Sequence, residues 1–503
     1  MSVARSPTAP FSPDPAHLAN PARPGRDLLA RLLPIAIHAA LLLVLLAIEA
    51  FFDDAIITLR WGGYVSCFVH LGLMVMEGRR TRIVVTPLSF YFFWYAMAAG
   101  VSAVFVAGEM ERTRFFWFST ARLEAQDLAD GYVLCVIGGL CLHAGMQLVR
   151  PVDGERRNVS PPRAPLGRWM MSGFGLAGLF FFSIASRATV LGGYLGGAGG
   201  IVSRGSLVAL SALALIVGTR RRDLAFWGLL GLGLAIEFVM ALRSGSKAFV
   251  MYTFLPVIWL ALVDRRLRGW MVALGPALIV FYLGLLAPVI STMRVTTADS
   301  EGTVVERIFH TFVEGDYKAQ PLSDNLEGLA SRQFEAASVG FIVQEVNRRG
   351  FMDGETLDYL VYGFVPRILW PNKPSVTRGH WFNEYLRQEQ DAHTSIGQMA
   401  TGELYWNFGT VGVCLGMTVI GLLFGGIWRL SGSDPDKEPL SLLCHVSMMF
   451  LMNNMAEFGT TLMAGVYYLL FFGLLFWLTR RFGIPTVGRR LQRPNFATPR
   501  LSA

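Results

Sequence analysis

Apolar residues run through this chain in long uninterrupted blocks, and polar positions are confined to the gaps between them. The first block covers about 29–52. Others follow near 57–76, 83–107, 129–149, 169–186, 206–218, 224–242, 248–263, 270–290, 408–429, 440–455 and 461–478. Each reads as a membrane-spanning helix, which needs roughly 20 apolar residues when perpendicular to the bilayer. The blocks near 206–218 and 248–263 are short and must borrow flanking residues. The pattern predicts an all-α polytopic membrane protein with about twelve spans.

One gap is unlike the rest. Between about 291 and 407 the chain is too polar to span and too long for a simple loop. Inside it, Val304, Val305, Ile308, Phe309, Phe312 and Val313 recur at helical spacing, opposite Glu306, Arg307 and His310. A second helix is predicted over roughly 326–348, and a third near 355–363 leads into Pro366-Arg367. The large connection is therefore mostly helical. The expected organisation is a disordered tail over 1–28, nine spans over 29–290, the connection over 291–407, three spans over 408–478, and a second tail over 479–503.

Charge orients this array. The even-numbered connections carry Arg79-Arg80-Arg82, Arg150 to Arg168, Arg220-Arg221-Arg222, Arg265-Arg266-Arg268 and Arg480-Arg481. The odd-numbered ones carry Asp53-Asp54, a near-neutral 108–128, a glycine-rich 189–200 and Glu457. Excess Lys and Arg marks the cytoplasmic side, so both termini are expected inside and 291–407 outside. That is the periplasm if the host is Gram-negative and this is its inner membrane. Arg243-Ser-Gly-Ser-Lys247 breaks the rule with two cations on the outer side. It reads either as a tolerated short turn or as an anion site whose Ser-Gly-Ser spacer adds backbone N–H donors.

Composition agrees with the blocks: 53% of the 503 residues are hydrophobic and 16% charged, with a mean hydropathy of +0.45. Soluble domains carry about 25% charged residues. The net charge of +8 punctuates the spans and implies no nucleic acid. Five cysteines lie in apolar blocks without CxxC spacing and read as packing residues. There is no P-loop and no HExxH or paired-histidine metal spacing, so no cofactor or metal is expected. The only DxD, Asp434-Pro-Asp436, falls on the inner side and reads as a turn.

The chemistry therefore falls to the outer connection. Prolines at 366, 371 and 374 stiffen a turn expected to present Arg367 and Lys373. Arg332, Arg294, Arg243 and Lys247 add cations that suit a pyrophosphate at the lipid interface. Glu403 and His393 are candidates for taking a proton from an attacking hydroxyl. Glu403 also sits where its charge would favour a helix N-terminus. Tyr362, Trp370, Trp381, Tyr405 and Trp406 are candidates for stacking on sugar rings, and aromatics are also ordinary at the interface.

Pro366-Arg367-Ile-Leu-Trp370-Pro371-Asn-Lys373-Pro374, followed by Gly402-Glu403-Leu-Tyr405-Trp-Asn407-Phe408-Gly409 entering a span, resembles the Wzy-type O-antigen and exopolysaccharide repeat-unit polymerases. The similarity is sharpest over about 320–425. The resemblance implies a metal-independent, inverting membrane glycosyltransferase. It would move a growing glycan from undecaprenyl pyrophosphate to the non-reducing end of another lipid-linked repeat unit, with a chain-length regulator as possible partner. On that reading Arg367 holds the leaving pyrophosphate, Lys373 and Arg332 support it, and Glu403 is the first choice for base with His393 second. Trp370, Tyr405 and Asn407 would meet the glycan. An O-antigen ligase shares the topology and the lipid pyrophosphate donor, though the motif fits it less well; a lipid-linked oligosaccharide flippase or other transporter is the non-enzyme alternative, in which a 117-residue outer domain would be unexpected.

Overall fold

The structure, a computed structural model, describes residues 24–81, 86–111, 123–150, 177–187, 205–219, 224–243, 335–365, 369–387 without 375 and 377, 396–431, 439–481 without 454, and a few positions from 250 to 257. The described residues are helical with short connections and contain no strand. In chain order the helices are α1 Pro24–Phe52, α2 Ala55–Thr81, α3 Pro87–Tyr95, a π-helical turn Ala96–Val101, α4 Ser102–Glu111, α5 Ala125–Val149, α6 Ala177–Arg187, α7 Gly205–Thr219 and α8 Leu224–Arg243. After the large connection begins come α9 Ala336–Arg349, α10 Tyr359–Gly363, α11 Gly379–Arg387, α12 Ala400–Ser431, α13 Pro439–Met452 and α14 Phe458–Arg481.

Six helical stretches among the described residues are long and apolar enough to cross a membrane: Arg31–Phe52, Pro87–Glu111, Ala125–Val149, Leu224–Arg243, Ala400–Ser431 and Phe458–Trp477. The expected span at 57–76 is helical as α2, but α2 also carries Arg60, Glu77, Arg79 and Arg80. α7 and α13, at 15 and 14 residues, are shorter than a perpendicular span. The spans expected near 248–263 and 270–290 fall largely or wholly outside the described residues, as does the helix expected over 304–313.

α5 is the central post, and glycines let other helices close on it. A Cβ added to Gly421 of α12 would lie 2.2 Å from the Leu142 carbonyl oxygen, and one on Gly145 would lie 2.5 Å from that of Thr418. Such an approach admits no side chain on either partner. At the other end of α5, Gly131 and Gly340 bring α9 equally close, with a Gly131 Cβ 2.4 Å from the Gly340 nitrogen. Part of the large connection is thus built into the bundle.

The two ends of α5 differ in charge. Its last carbonyls, Gln147 and Leu148, each accept from Arg31 Nη1 at 3.1 Å. Beside them Glu77 accepts from Arg80 Nε at 2.9 Å and faces buried Arg150 at 3.5 Å. Arg31, Arg80 and Arg150 come from three separate places in the sequence and gather at one end of the bundle. Carboxylates gather at the other: Glu49, Asp127 and Asp130 lie near Gln126 and Asn347.

α12 is two helices. Gly409 has φ 64 and ψ −160, a combination open essentially to glycine alone. The chain reverses there. Gly412 lies against the Leu404 carbonyl and Gly416 against the Leu404 side chain, while Thr401 and Met417 both face Gly138 of α5. In an unbroken helix residues 404 and 416 would be about 18 Å apart. The 400–408 arm therefore runs back along the 410–431 arm, and both pack on α5. Above the hairpin, Trp406 packs with Phe341 and Ile342 of α9 and Phe382 and Leu386 of α11 in a small second core.

Glu335, at the foot of α9, accepts from the Trp94 indole N–H at 3.2 Å. Burial pushes its carboxyl up to about 7, with the indole bond opposing. A folded value above the unfolded one, about 4.3, means the stabilisation is complete below that value and is lost as pH rises through 7. Glu335→Gln, which keeps an acceptor for Trp94, is expected to be more stable than the parent at pH 8, by up to about 3–4 kcal/mol, and so to melt higher. The gap should close by pH 4. Thermal melts of detergent-solubilised protein across that range check it; equal melting at pH 8 would remove Glu335 as a source of pH dependence.

Candidate functional site

The polar residues of the large connection converge where the 400–408 arm meets the start of α14. The first turn of any α-helix leaves its N–H groups without intrahelical partners. In α14 a carboxylate from another helix supplies them. Glu403, fully buried, accepts from Phe458 N at 2.7 Å and Gly459 N at 3.3 Å. Its two oxygens also each lie 3.0 Å from the Tyr359 hydroxyl, which itself accepts from Gly459 N at 3.0 Å. The helix-terminus reading of Glu403 is thus realised, but on α14 as well as at the start of its own helix. A carboxylate so enclosed is an anchor first.

Asn407, one turn on, is equally committed. Its Oδ1 accepts from Gly354 N at 2.9 Å, and its Nδ2 donates to Thr356 Oγ1 at 2.6 Å and to the Glu403 carbonyl at 2.7 Å. This network fixes the tight segment ahead of α10, where Asp353 and Gly354 both have positive φ. The expected glycan contact of Asn407 gives way to a structural one. Tyr405 is partly buried and packs on Phe351 with ring centroids 5.9 Å apart.

Lys373 departs furthest from expectation. The turn is present, with Lys373 N donating to the Trp370 carbonyl at 3.1 Å. The side chain folds inward instead of outward: Nζ donates to the carbonyls of Gly363 at 3.0 Å and Val365 at 2.7 Å. The ammonium closes the C-terminus of α10, a position where a cation is favoured. Its chemistry here is that of a helix cap. Trp370, by contrast, stands 43% exposed beside Tyr362. Arg243 is exposed at the end of α8. Arg367, Arg332, Arg294, Lys247 and His393 lie outside the described residues.

The cation the structure does place here is Arg378, which spacing and composition did not single out. Its backbone N–H donates to Glu457 Oε1 at 2.6 Å. Its guanidinium pairs with Asp358 and lies over the rings of Tyr359 at 5.9 Å and Trp381 at 5.6 Å. Asp358 is mostly exposed, so the pair is solvent-screened and contributes little to stability. The only sequence signal for this residue was its place four residues beyond the proline-rich turn. Tyr359 and Glu457 were equally silent, since each becomes part of the site only through contacts at long sequence separation. Burial, reinforced by the carboxylates of Glu403 and Glu457, pushes the Tyr359 hydroxyl far above its usual range, so it stays a hydrogen-bond donor.

Taken together, the Arg378 guanidinium with its partner Asp358, the rings of Tyr359 and Trp381, and the carboxylates of Glu403 and Glu457 gather near the N-terminus of α14. Such a set can hold an anion at Arg378 and present acceptors to hydroxyl groups. Among the described residues no group of His, Cys, Asp and Glu is arranged to hold a metal ion. Comparison with family models, with curated proteins and with solved structures finds no match to this chain.

Proposed function

We propose that this protein is a membrane glycosyltransferase that lengthens polysaccharide on a lipid pyrophosphate carrier. On this reading the chain lies in a bacterial inner membrane with both termini in the cytoplasm and the 335–409 region at the outer face. The donor is an undecaprenyl-pyrophosphate-linked glycan, and the acceptor is a sugar hydroxyl of another lipid-linked repeat unit. The observation that carries the proposal is the setting of Arg378. A guanidinium paired with Asp358 lies over the rings of Tyr359 and Trp381, its own backbone N–H binds the Glu457 carboxylate, and the Tyr359 hydroxyl links it to Glu403, within a helical membrane bundle.

Glycosyl transfer here joins the acceptor oxygen to the donor's anomeric carbon, and the carbon–oxygen bond to pyrophosphate breaks. The acceptor proton leaves to a base, and the leaving group departs with its added negative charge. Arg378 and the motif residue Arg367 are suited to stabilising that charge, since guanidinium binds phosphate oxygens in a fork. Glu403, enclosed as it is, serves by holding the hairpin to α14.

Purified protein given undecaprenyl-pyrophosphate-linked repeat units should produce a ladder of longer products, and the ladder should persist in EDTA. Fixed cations take the place of a divalent ion in offsetting the leaving charge. Activity lost in EDTA and restored by magnesium or manganese would count against the mechanism, and absence of any ladder against the function.

A further inference from the structure

The crossing that seats Glu457 contains polar atoms with nothing to bind. Gln398 is 0% exposed, and neither its Oε1 nor its Nε2 has a hydrogen-bond partner. Glu457 is 2% exposed; Oε1 accepts from Arg378 N, the Thr460 hydroxyl and the Gly379 N–H also face the carboxylate, and Oε2 completes no hydrogen bond of full geometry. Both side chains belong to the same crossing of segments. Ala400 N donates to the Met455 carbonyl at 2.9 Å, and Ile396 N to the Gly379 carbonyl at 3.0 Å. Gly397 is in such close contact with Ala456 that an added Cβ would lie 2.9 Å from the alanine methyl.

A buried polar group left unmatched costs roughly 1–3 kcal/mol, and native structures contain few. This crossing holds three such atoms. It also holds Met399, a non-glycine residue at φ 61, directly after Gln398. Residues held in sparsely populated backbone conformations cluster at catalytic and ligand-binding sites.

The chemistry of the missing complement can be read from the atoms. Glu457 Oε2 needs a donor. The Gln398 carboxamide needs both an acceptor and a donor. A pyrophosphate diester offers acceptors alone and would leave Glu457 Oε2 without a donor. A metal cation would leave the amide N–H unmatched. A hydroxyl is donor and acceptor at once, and two adjacent hydroxyls on a pyranose supply enough of each for both side chains.

We propose that Gln398 and Glu457 form a sugar-hydroxyl subsite that takes a pyranose through two adjacent hydroxyl groups. It rests on the glycosyltransferase reading and puts the acceptor sugar next to Arg378. Gln398 orients the ring, and Glu457 Oε2 accepts from one hydroxyl.

The test is saturation-transfer NMR on the full-length protein in detergent. The probes are the methyl glycosides of glucose, galactose, mannose and N-acetylglucosamine, with tetrahydropyran-2-methanol, which lacks ring hydroxyls, as control. At least one glycoside should receive saturation and the control none. Gln398→Met and Glu457→Met, with folding verified by thermal melts, should each weaken that binding about tenfold or more, and Gln398→Glu should retain part of it. No transfer to any glycoside, or binding unchanged in both Met variants, overturns the subsite. So does a Gln398→Met protein that only melts higher. Glycoside binding that depends on these residues without any elongation would keep the subsite and overturn the polymerase reading.

Discussion

Arg378→Ala is expected to cut glycan elongation by roughly 100- to 1000-fold, the loss seen when one preorganised electrostatic donor is removed from an active site. The fold should survive. The bond from Arg378 to Glu457 uses the backbone N–H, which alanine keeps, and the Asp358 partner is mostly exposed. Arg378→Lys should recover little, because an ammonium lacks both the fork and the planar face that lies over Tyr359 and Trp381. Arg367→Ala should fall in the same range on the strength of the proline-rich turn. The measurement is product length per folded protein, with melts run in parallel. Near-normal ladders from stable Arg378→Ala would remove this guanidinium from the mechanism.

Glu403→Ala should instead unfold the protein. It strips acceptors from Phe458 N, Gly459 N and the Tyr359 hydroxyl in a place closed to water. Breaking such a buried, charge-assisted set costs about 3–5 kcal/mol, a large share of the 5–15 kcal/mol by which domains are stable. Glu403→Gln keeps one acceptor oxygen and should cost about 1–2 kcal/mol. The two roles for Glu403 then separate cleanly. An anchor predicts that the Gln variant, once folded, elongates glycan at close to the parent rate. A base predicts a folded and inactive protein, and that outcome would restore the assignment made from the sequence.

What was legible in the chain followed from local pattern. The apolar blocks at 29–52, 83–107, 129–149, 224–242, 408–429 and 461–478 coincide with helices able to span, because a helix in lipid must be apolar along its whole length. The helix near 355–363 appears as a 3₁₀ turn followed by α10. The Gly402–Gly409 stretch was legible as the approach to a span, but its direction was not. Helical spacing of apolar residues continues on both sides of Gly409, so periodicity alone reads straight through the reversal. The inward turn of Lys373 escapes the sequence for a related reason. Its neighbours fix the turn, but whether the ammonium faces out or caps α10 depends on carbonyls at 363 and 365 that the turn itself brings near. Arg378, Tyr359 and Glu457 carry no motif at all. Their proximity comes from α14 starting beside the 400–408 arm, a fact of packing without a sequence signature.

The reversal at Gly409 also works as a ruler. Counting back from it, Asn407 is two residues away and Glu403 six, and each reaches its partners only because the arm leaves the glycine at one rotational phase. One residue inserted between 403 and 409 would turn Glu403 by about 100° about the arm and swing it off α14. The same insertion in 432–438, beyond the end of α12, would leave that phase untouched. The chain thus indexes its buried carboxylate from a single backbone position, and length changes are tolerable on only one side of it.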